Sequence, residues 1–169
     1  MLLLSLASIA PQLSSSIIEI NIASAKRDWQ EKVFRESDLT TQLLYEALVF
    51  NQIQNPEIVI KQSIIETGNF KSKIFIATNN PFGMHLAVYR KSLTTEFVYG
   101  DYYNGQFHKM AKFNSWYDAV LDFKYWQDFW LKEELTEEQY YVFLRTLPYA
   151  ADPRYVYKVK SINLDITVS

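Results

Sequence analysis

One glutamate at the end of a predicted helix has the type and position that acid chemistry needs. Glu66 lies just before Gly68, the residue expected immediately past a helix end. The carbonyl end of the helix disfavours a negative charge, and screening by apolar neighbours acts in the same direction, so the pKa of Glu66 is expected to be raised. Such a carboxylic acid can protonate the leaving oxygen of a glycosidic bond. The alternative is an ordinary solvated glutamate.

Other polar and aromatic residues are candidates for the same site. Gln62 precedes Glu66 by four residues and can share its helix face. Tyr102 and Tyr103 point to opposite faces of a predicted strand, so one of them can stack on a sugar ring. The high aromatic content, 16% of the residues, suits such a cleft, although most of these rings are expected in the core.

Composition excludes several other classes of function. The formal net charge of −2 and the absence of a basic patch argue against nucleic-acid binding. No cysteine is present, so disulfides and zinc–thiolate sites are excluded. His85 and His108 fit no metal-ligand spacing, and no glycine-rich phosphate loop is present, so we expect no metal and no cofactor.

The elements that position these residues are mainly helices. Helices are predicted from near Leu39 to Ile53, from Pro56 to Thr67, from Trp116 to about Lys132, from Thr136 to about Leu147, and from Asp152 to Val159. Residues 69–92 are expected to be irregular, and 96–110 to form a hairpin around Asn104-Gly105. The order of helices, one hairpin and further helices predicts a mainly α (α+β) fold with a small β lobe.

The N-terminal segment is open to two interpretations. Met1–Ala10 is apolar and of signal-peptide length, but no basic residue precedes it. It is either an export signal or an N-terminal arm or helix packed on the domain, and at ten residues it is too short to span a bilayer. We predict that 1–36 is this segment with a Ser-rich, then charged connector over 14–35, and that 37–169 is the functional domain.

Four motifs in order resemble one enzyme family. They are Gln62-x-x-x-Glu66-Thr67-Gly68 with Asn79-Asn80-Pro81-Phe82-Gly83 after it, Thr95-Glu96, Ser115-Trp116-Tyr117-Asp118-Ala119-Val120, and Tyr149-Ala150-Ala151-Asp152-Pro153-Arg154-Tyr155. Together they resemble the N-acetylglucosaminidase domain of bacterial autolysins and flagellar peptidoglycan hydrolases, glycoside hydrolase family 73. The similarity covers about residues 40–160 and departs at Pro81, Met84 and Ala151.

The resemblance implies a lysozyme-like fold and hydrolysis of peptidoglycan next to N-acetylglucosamine. It implies that Glu66 is the general acid, that Glu96 is the second carboxylate and that Tyr149 lies near the substrate's N-acetyl group. The expected substrate-binding residues are Gln62, Asn80, Phe82, Tyr102 and Tyr155. The expected location is the bacterial envelope or, for a phage protein, delivery to the wall.

Several points stay open at the level of sequence. Inversion, a covalent intermediate and assistance by the substrate's acetamido group are all compatible with the motifs. A muramidase or lytic transglycosylase on the same fold and a non-catalytic wall-binding or assembly protein are the alternative functions. Glycan strands are the expected partner, and a partner protein of envelope assembly is a further expectation.

Overall fold

A computed structural model describes residues 9–103, 106–147, 149 and 152–167. In this part of the chain seven helices and a two-stranded antiparallel sheet follow one another in the order helices, hairpin, helices. This order confirms the predicted mainly α, lysozyme-like fold with a small β lobe. The chain divides into two compact units, Met1–Ser37 and Asp38–Ser169.

The described part of the first unit is helix α1 (Ile9–Glu36). The sequence predicts a connector over 14–35, whereas the structure has continuous helix there. No glycine or further proline follows Pro11 within this segment, and Pro11 itself lies in the first turn, where proline is tolerated. Arg27 and Glu31, one turn apart, form an ion pair at 3.2 Å.

Several apolar side chains of α1 lie exposed to solvent: Ile17, Ile18, Ile20, Ile22 and Trp29. Over the described residues, no helix combines the length and the apolar character of a membrane-crossing segment. The predicted export signal falls largely on residues 1–8, which lie outside the described part of the chain.

The second unit begins with two helices that position Glu66. Helix α2 (Thr41–Phe50) is capped by Thr40, whose hydroxyl accepts from Leu43 N at 3.1 Å, so the predicted start near Leu39 comes slightly early. Helix α3 (Pro56–Thr67) has the predicted bounds, with proline in its first turn and Gly68 at its end.

The segment after α3 contains a helix that the sequence analysis missed. Helix α4 (Lys73–Thr78) is capped by Ser72, within the region predicted to be irregular. Strands β1 (Phe97–Tyr103) and β2 (Gln106–Ala111) then pair antiparallel, as predicted. The Asn104-Gly105 turn predicted between them lies outside the described residues.

Three helices complete the unit. Helix α5 (Trp116–Trp130) starts at the predicted Ser115 cap, and helix α6 (Glu137–Thr146) starts with the predicted capping box. Helix α7 (Tyr155–Lys160) begins later than the predicted Asp152-Pro153 start.

The core lies where α2, α3, α5, α6 and α7 pack together. Its largest buried apolar side chains include Leu44, Leu48, Val59, Ile60, Tyr117, Val120, Phe123 and Tyr140. Of the tryptophans in α5, Trp116 is buried, in line with the expectation that most aromatic rings lie in the core, whereas Trp130 at the other end is 45% exposed. This leaves one end of α5 available to line a cleft.

Candidate active site

The carboxyl group of Glu66 lies in the last turn of α3, as the sequence predicts, and is half-buried. Burial raises its pKa above the ordinary value of a glutamate, and a hydrogen bond from the Tyr155 hydroxyl acts in the opposite direction. Because desolvation is the larger effect, the protonated form of Glu66 is favoured. Glu66 can therefore donate a proton at a pH where an exposed glutamate is already ionised.

Gly83 lies directly against this carboxyl group. Its backbone is left-handed, with φ +61°, and a Cβ built on it would be 2.8 Å from Glu66 Oε2. Any side chain here would push the carboxyl group away. Glycine is thus favoured at this position for two reasons, the left-handed backbone and the close approach of the Glu66 carboxyl group.

Two of the predicted substrate-binding residues, Gln62 and Tyr155, are buried in the protein beside Glu66. Gln62 is fully buried and its Nε2 donates to the Tyr155 hydroxyl at 3.4 Å, while that hydroxyl donates to Glu66. Tyr155 itself is 6% exposed. Burial raises the pKa of Tyr155, and the neighbouring Glu66 adds to this effect, so the phenol stays protonated and remains a donor.

Asn80 holds the loop that carries Gly83. Its amide nitrogen donates to Met84 O at 2.8 Å and to Ala111 O at 3.0 Å, and its oxygen accepts from Met84 N at 3.1 Å. Both amide protons are thus used within the protein. The structure places Asn80 under the cleft, where it fastens the loop to β2.

Phe82 and Tyr149 form the next layer of the site. The Phe82 ring is 1% exposed and lies 4.4 Å from the Phe123 ring, so it supports the cleft from below. Tyr149 donates its hydroxyl proton to Phe82 O at 2.7 Å, and its ring stacks on Tyr155 at 5.7 Å. Since this proton is engaged, the Tyr149 oxygen can only accept a hydrogen bond from a ligand.

Two cavities meet at Glu66, and both are lined by Glu66 and Gly83. The tryptophan cavity, of about 260 Å³, is further lined by Met84, His85, Arg90, Trp126, Trp130, Leu147 and Tyr149. The hairpin cavity, of about 520 Å³, is further lined by Lys73, Ile74, Ala77, Thr78, Asn80, Val98, Tyr99, Gly100 and Met110. A glycan that occupies both cavities would have its linkage beside the carboxyl group.

Two basic residues that the sequence does not place in the site, Arg90 and His85, line the tryptophan cavity. Arg90 forms a buried ion pair with Asp122, Nη2 to Oδ2 at 2.6 Å, and the same carboxylate accepts from Ser92 and Leu93. No spacing rule relates Arg90 to Asp122, because one lies in a loop and the other in α5. This ion pair fixes one wall of the cavity.

The two histidines, far apart in sequence, come together in space. Their rings stack at 4.7 Å, and His85 lines the tryptophan cavity. Burial lowers the pKa of His85, and the charge of His108 adds to this effect, so His85 is neutral near neutral pH. Among the described residues, no three His, Cys, Asp or Glu side chains cluster as metal ligands would.

Glu96, predicted as the second carboxylate, lies just before β1 and lines neither of the two cavities. It is 65% exposed and pairs with Lys112, with Nζ to Oε2 at 3.3 Å. Glu96 is therefore solvent-exposed and paired with a lysine rather than part of either cavity wall. The side chain of Tyr102, the remaining predicted site residue, lies outside the described part of the structure.

Comparison with known proteins gives one family. A family model described as mannosyl-glycoprotein endo-beta-N-acetylglucosaminidase, of the glucosaminidase type, matches residues 44–166. The match covers more than half of the chain and includes Glu66, Glu96, Tyr149 and Tyr155. No match is found among curated proteins.

Proposed function

We propose a function for this chain, which belongs to the glucosaminidase family, the endo-β-N-acetylglucosaminidases. As a member of that family, it is a glycoside hydrolase with a glycan substrate. The proposed substrate is bacterial peptidoglycan, cut at the bond that follows N-acetylglucosamine. The proposed general acid is Glu66. The observation that carries this proposal is a carboxyl group that lies where two cavities meet and whose pKa is raised by burial.

In the first step, the Glu66 proton moves to the glycosidic oxygen and the bond from that oxygen to C1 breaks. General acid catalysis of this kind contributes about 10²–10⁴-fold to the rate. Gly83 sets the position of the carboxyl group on one side, and we assign Tyr155 and Gln62 as positioning residues that hold it from behind. These contacts restrict the acid to one geometry before substrate binds.

As that bond breaks, a new bond forms at C1, and we favour the substrate's acetamido oxygen as the nucleophile that makes it. This route needs an acceptor for the acetamido N–H, which becomes more acidic as its oxygen attacks. The Tyr149 oxygen is such an acceptor, because its own proton is given to Phe82 O. Water then attacks C1, the bond between C1 and the acetamido oxygen breaks, and the water gives a proton to the Glu66 carboxylate. The acetamido group and the protonated acid are both restored.

The competing route uses Glu96 as nucleophile or as base for a water molecule. The carboxyl groups would need to approach to about 5–5.5 Å for a covalent intermediate or about 6.5–9.5 Å for inversion. The Glu96→Gln variant separates the two routes. Loss of about 100-fold or more in kcat would support Glu96, whereas a change of a few-fold would support the acetamido route.

Mass spectrometry of the fragments released from purified walls tests the proposed function. We expect the wild type to release fragments with reducing N-acetylglucosamine ends and Glu66→Gln to release about 10²–10⁴-fold less. Glu57→Gln, an exposed glutamate in the first turn of the same helix, is the matched control and should act as the wild type does.

Other outcomes identify the alternatives. Reducing muramic ends would indicate a muramidase, and anhydromuramic ends a lytic transglycosylase. A wild type that binds walls but releases nothing would indicate a binding or assembly protein. Unchanged activity of Glu66→Gln would overturn the assignment of the acid.

We also propose that the enzyme acts in the bacterial envelope, since peptidoglycan is found there. Export by the apolar N-terminal segment, an autolysin-like role and a partner protein that directs the enzyme to its substrate are parts of this proposal. Fractionation of cells that produce the full chain, followed by detection of the enzyme in each fraction, tests it. Retention of all the protein in the cytoplasm would contradict export.

A further inference from the structure

The two cavities on either side of Glu66 differ in the charge that they offer to a ligand. In the tryptophan cavity, the Arg90 guanidinium is compensated by Asp122 at 2.6 Å, and the two side chains are only 8% and 0% exposed. Its other basic residue, His85, is neutral near neutral pH because burial lowers its pKa. The tryptophan cavity therefore offers aromatic surface without an uncompensated cation.

The hairpin cavity does offer such a cation. Lys73, the first residue of α4, is exposed and lines this cavity together with Glu66. Among the described residues, no carboxylate forms an ion pair with Lys73. Glu66, which lines the same cavity, forms no ion pair with Lys73 in the part of the chain that the structure describes.

An aromatic ring and apolar side chains accompany Lys73. Tyr99 of β1 is 64% exposed and lines the same cavity, with the Phe97 and Phe107 rings at 5.3 and 6.1 Å from its own. Exposed aromatic rings provide a flat apolar face for a sugar. The hairpin cavity, with about 520 Å³, is also the roomier of the two, which suits a sugar with a bulky substituent.

We propose that the hairpin cavity binds the sugar that carries a carboxylate substituent and that Lys73 pairs with this carboxylate, while the tryptophan cavity binds the neutral N-acetylated sugar. The inference rests on the proposed function, because in peptidoglycan the two kinds of sugar alternate. The carboxylate has two possible sources, the lactyl group of a strand without peptide and the acidic residues of the attached peptide. Lys73 is thus a specificity-determining residue.

Binding measurements on the Glu66→Gln protein test this proposal without turnover. The ligands are a peptide-free tetrasaccharide of alternating N-acetylglucosamine and N-acetylmuramic acid, the same compound with its lactyl carboxylates converted to methylamides, and a neutral N-acetylglucosamine tetramer. An exposed ion pair contributes about 0.2–1 kcal/mol, so adding Lys73→Gln should weaken binding of the charged ligand by about 1.5- to fivefold.

Two comparisons make the result specific to Lys73. Binding of the methylamide and of the neutral tetramer should not change, and the effect on the charged ligand should fade at high salt. Lys71→Gln removes a nearby exposed lysine that lines neither cavity and is the matched control. A measurable loss of the same size for charged and neutral ligands, or in both lysine variants, would overturn the proposal.

A peptide-bearing tetrasaccharide distinguishes the two sources of the carboxylate. If Lys73→Gln weakens only the peptide-free ligand, the lactyl group is the partner; if it weakens only the peptide-bearing ligand, the peptide is. If it weakens neither, the proposal is wrong. Should the wild type release no reducing N-acetylglucosamine from walls, the proposed function would fail, yet these binding comparisons would still decide the role of Lys73.

Discussion

At the residue scale, Tyr155 contacts the proposed acid, and this contact gives a testable prediction. The hydroxyl of Tyr155 donates to Glu66, and this bond partly offsets the rise of the Glu66 pKa that burial causes. Tyr155→Phe removes the donor and leaves the ring, so the pKa of Glu66 should rise further. The acid then stays protonated to higher pH, so the alkaline limb of the pH profile of kcat should shift to higher pH.

The pH profile separates positioning from substrate contact. A substrate-binding Tyr155 would change KM and leave the alkaline limb in place, which would contradict the prediction. Tyr157→Phe is the control, because Tyr157 is on the same helix but 76% exposed. Its pH profile should match that of the wild type.

Tyr149 gives a second prediction at this scale. Tyr149→Phe leaves Phe82 O, a buried acceptor, without its donor at 2.7 Å. The free energy of unfolding should fall by about 1–3 kcal/mol. Activity should fall as well, by more than the loss of folded protein explains, since the acceptor for the acetamido N–H is lost. Thermal melts and kcat on the same samples test both parts, and an unchanged melting temperature would refute the structural part.

The sequence predicts which residues surround Glu66 better than it predicts the directions in which they face. Helix spacing correctly places Gln62 on the side of Glu66, but it cannot tell a substrate contact from a buried support. Phe82 and Asn80 illustrate the same limit. Their orientations depend on Phe123 and Ala111, which are distant in sequence, so no local pattern encodes them.

At the element scale, the turn after Asn80 fixes the acid through Gly83. Gly83→Ala places a methyl group 2.8 Å from Glu66 Oε2 and imposes a left-handed conformation on alanine. The conformation should cost about 1–2 kcal/mol of stability. Displacement of the carboxyl group by a fraction of an ångström to one ångström should reduce kcat by up to about 100-fold.

Gly68→Ala provides a matched control for this turn. Gly68 has the similar φ of +56°, yet a Cβ there would meet nothing within 4 Å. Both variants should lose similar stability, and only Gly83→Ala should lose most of its activity. Comparable losses of kcat in the two variants would show that backbone strain, rather than contact with Glu66, is responsible.

Long elements with strong end signals are predictable from the sequence, whereas the short helix α4 is not. Pro56 and Gly68 bound α3, and the capping box of Thr136 marks the start of α6, so local chemistry was sufficient for both. Helix α4 has only six residues, too few for a periodic pattern, and Asn79-Asn80-Pro81 beside it indicated a loop. In the structure α4 packs against β1, a contact that no local pattern shows.

At the scale of the whole molecule, the fold brings three separate parts of the chain to one carboxyl group. The end of α3 supplies Glu66, the turn before the hairpin supplies Gly83, and α7 supplies Tyr155. The resemblance of the ordered motifs to one family predicts that these parts of the chain contribute to one site. The division of the cleft into two cavities of different charge was not predictable, because it depends on the Arg90–Asp122 ion pair, a long-range contact.

Stability as a function of pH gives a prediction for the whole molecule. Because the folded-state pKa of Glu66 is raised, the wild type is stabilised by its protonated form below the unfolded-state pKa, and this contribution is lost as pH rises through the folded-state pKa. Glu66→Gln lacks the titration. Relative to the wild type, it should therefore gain stability between about pH 4 and neutral pH.

Urea unfolding of Glu66→Gln, Glu57→Gln and the wild type at pH 4 and at pH 7 measures this difference. The advantage of Glu66→Gln should be larger at pH 7 than at pH 4. Glu57 lies in the first turn of α3, where its negative charge is favourable, so Glu57→Gln should instead lose a little stability at pH 7. An advantage of Glu66→Gln that does not change with pH would mean that Glu66 is not held protonated by folding, and the proposed acid would lose its physical basis.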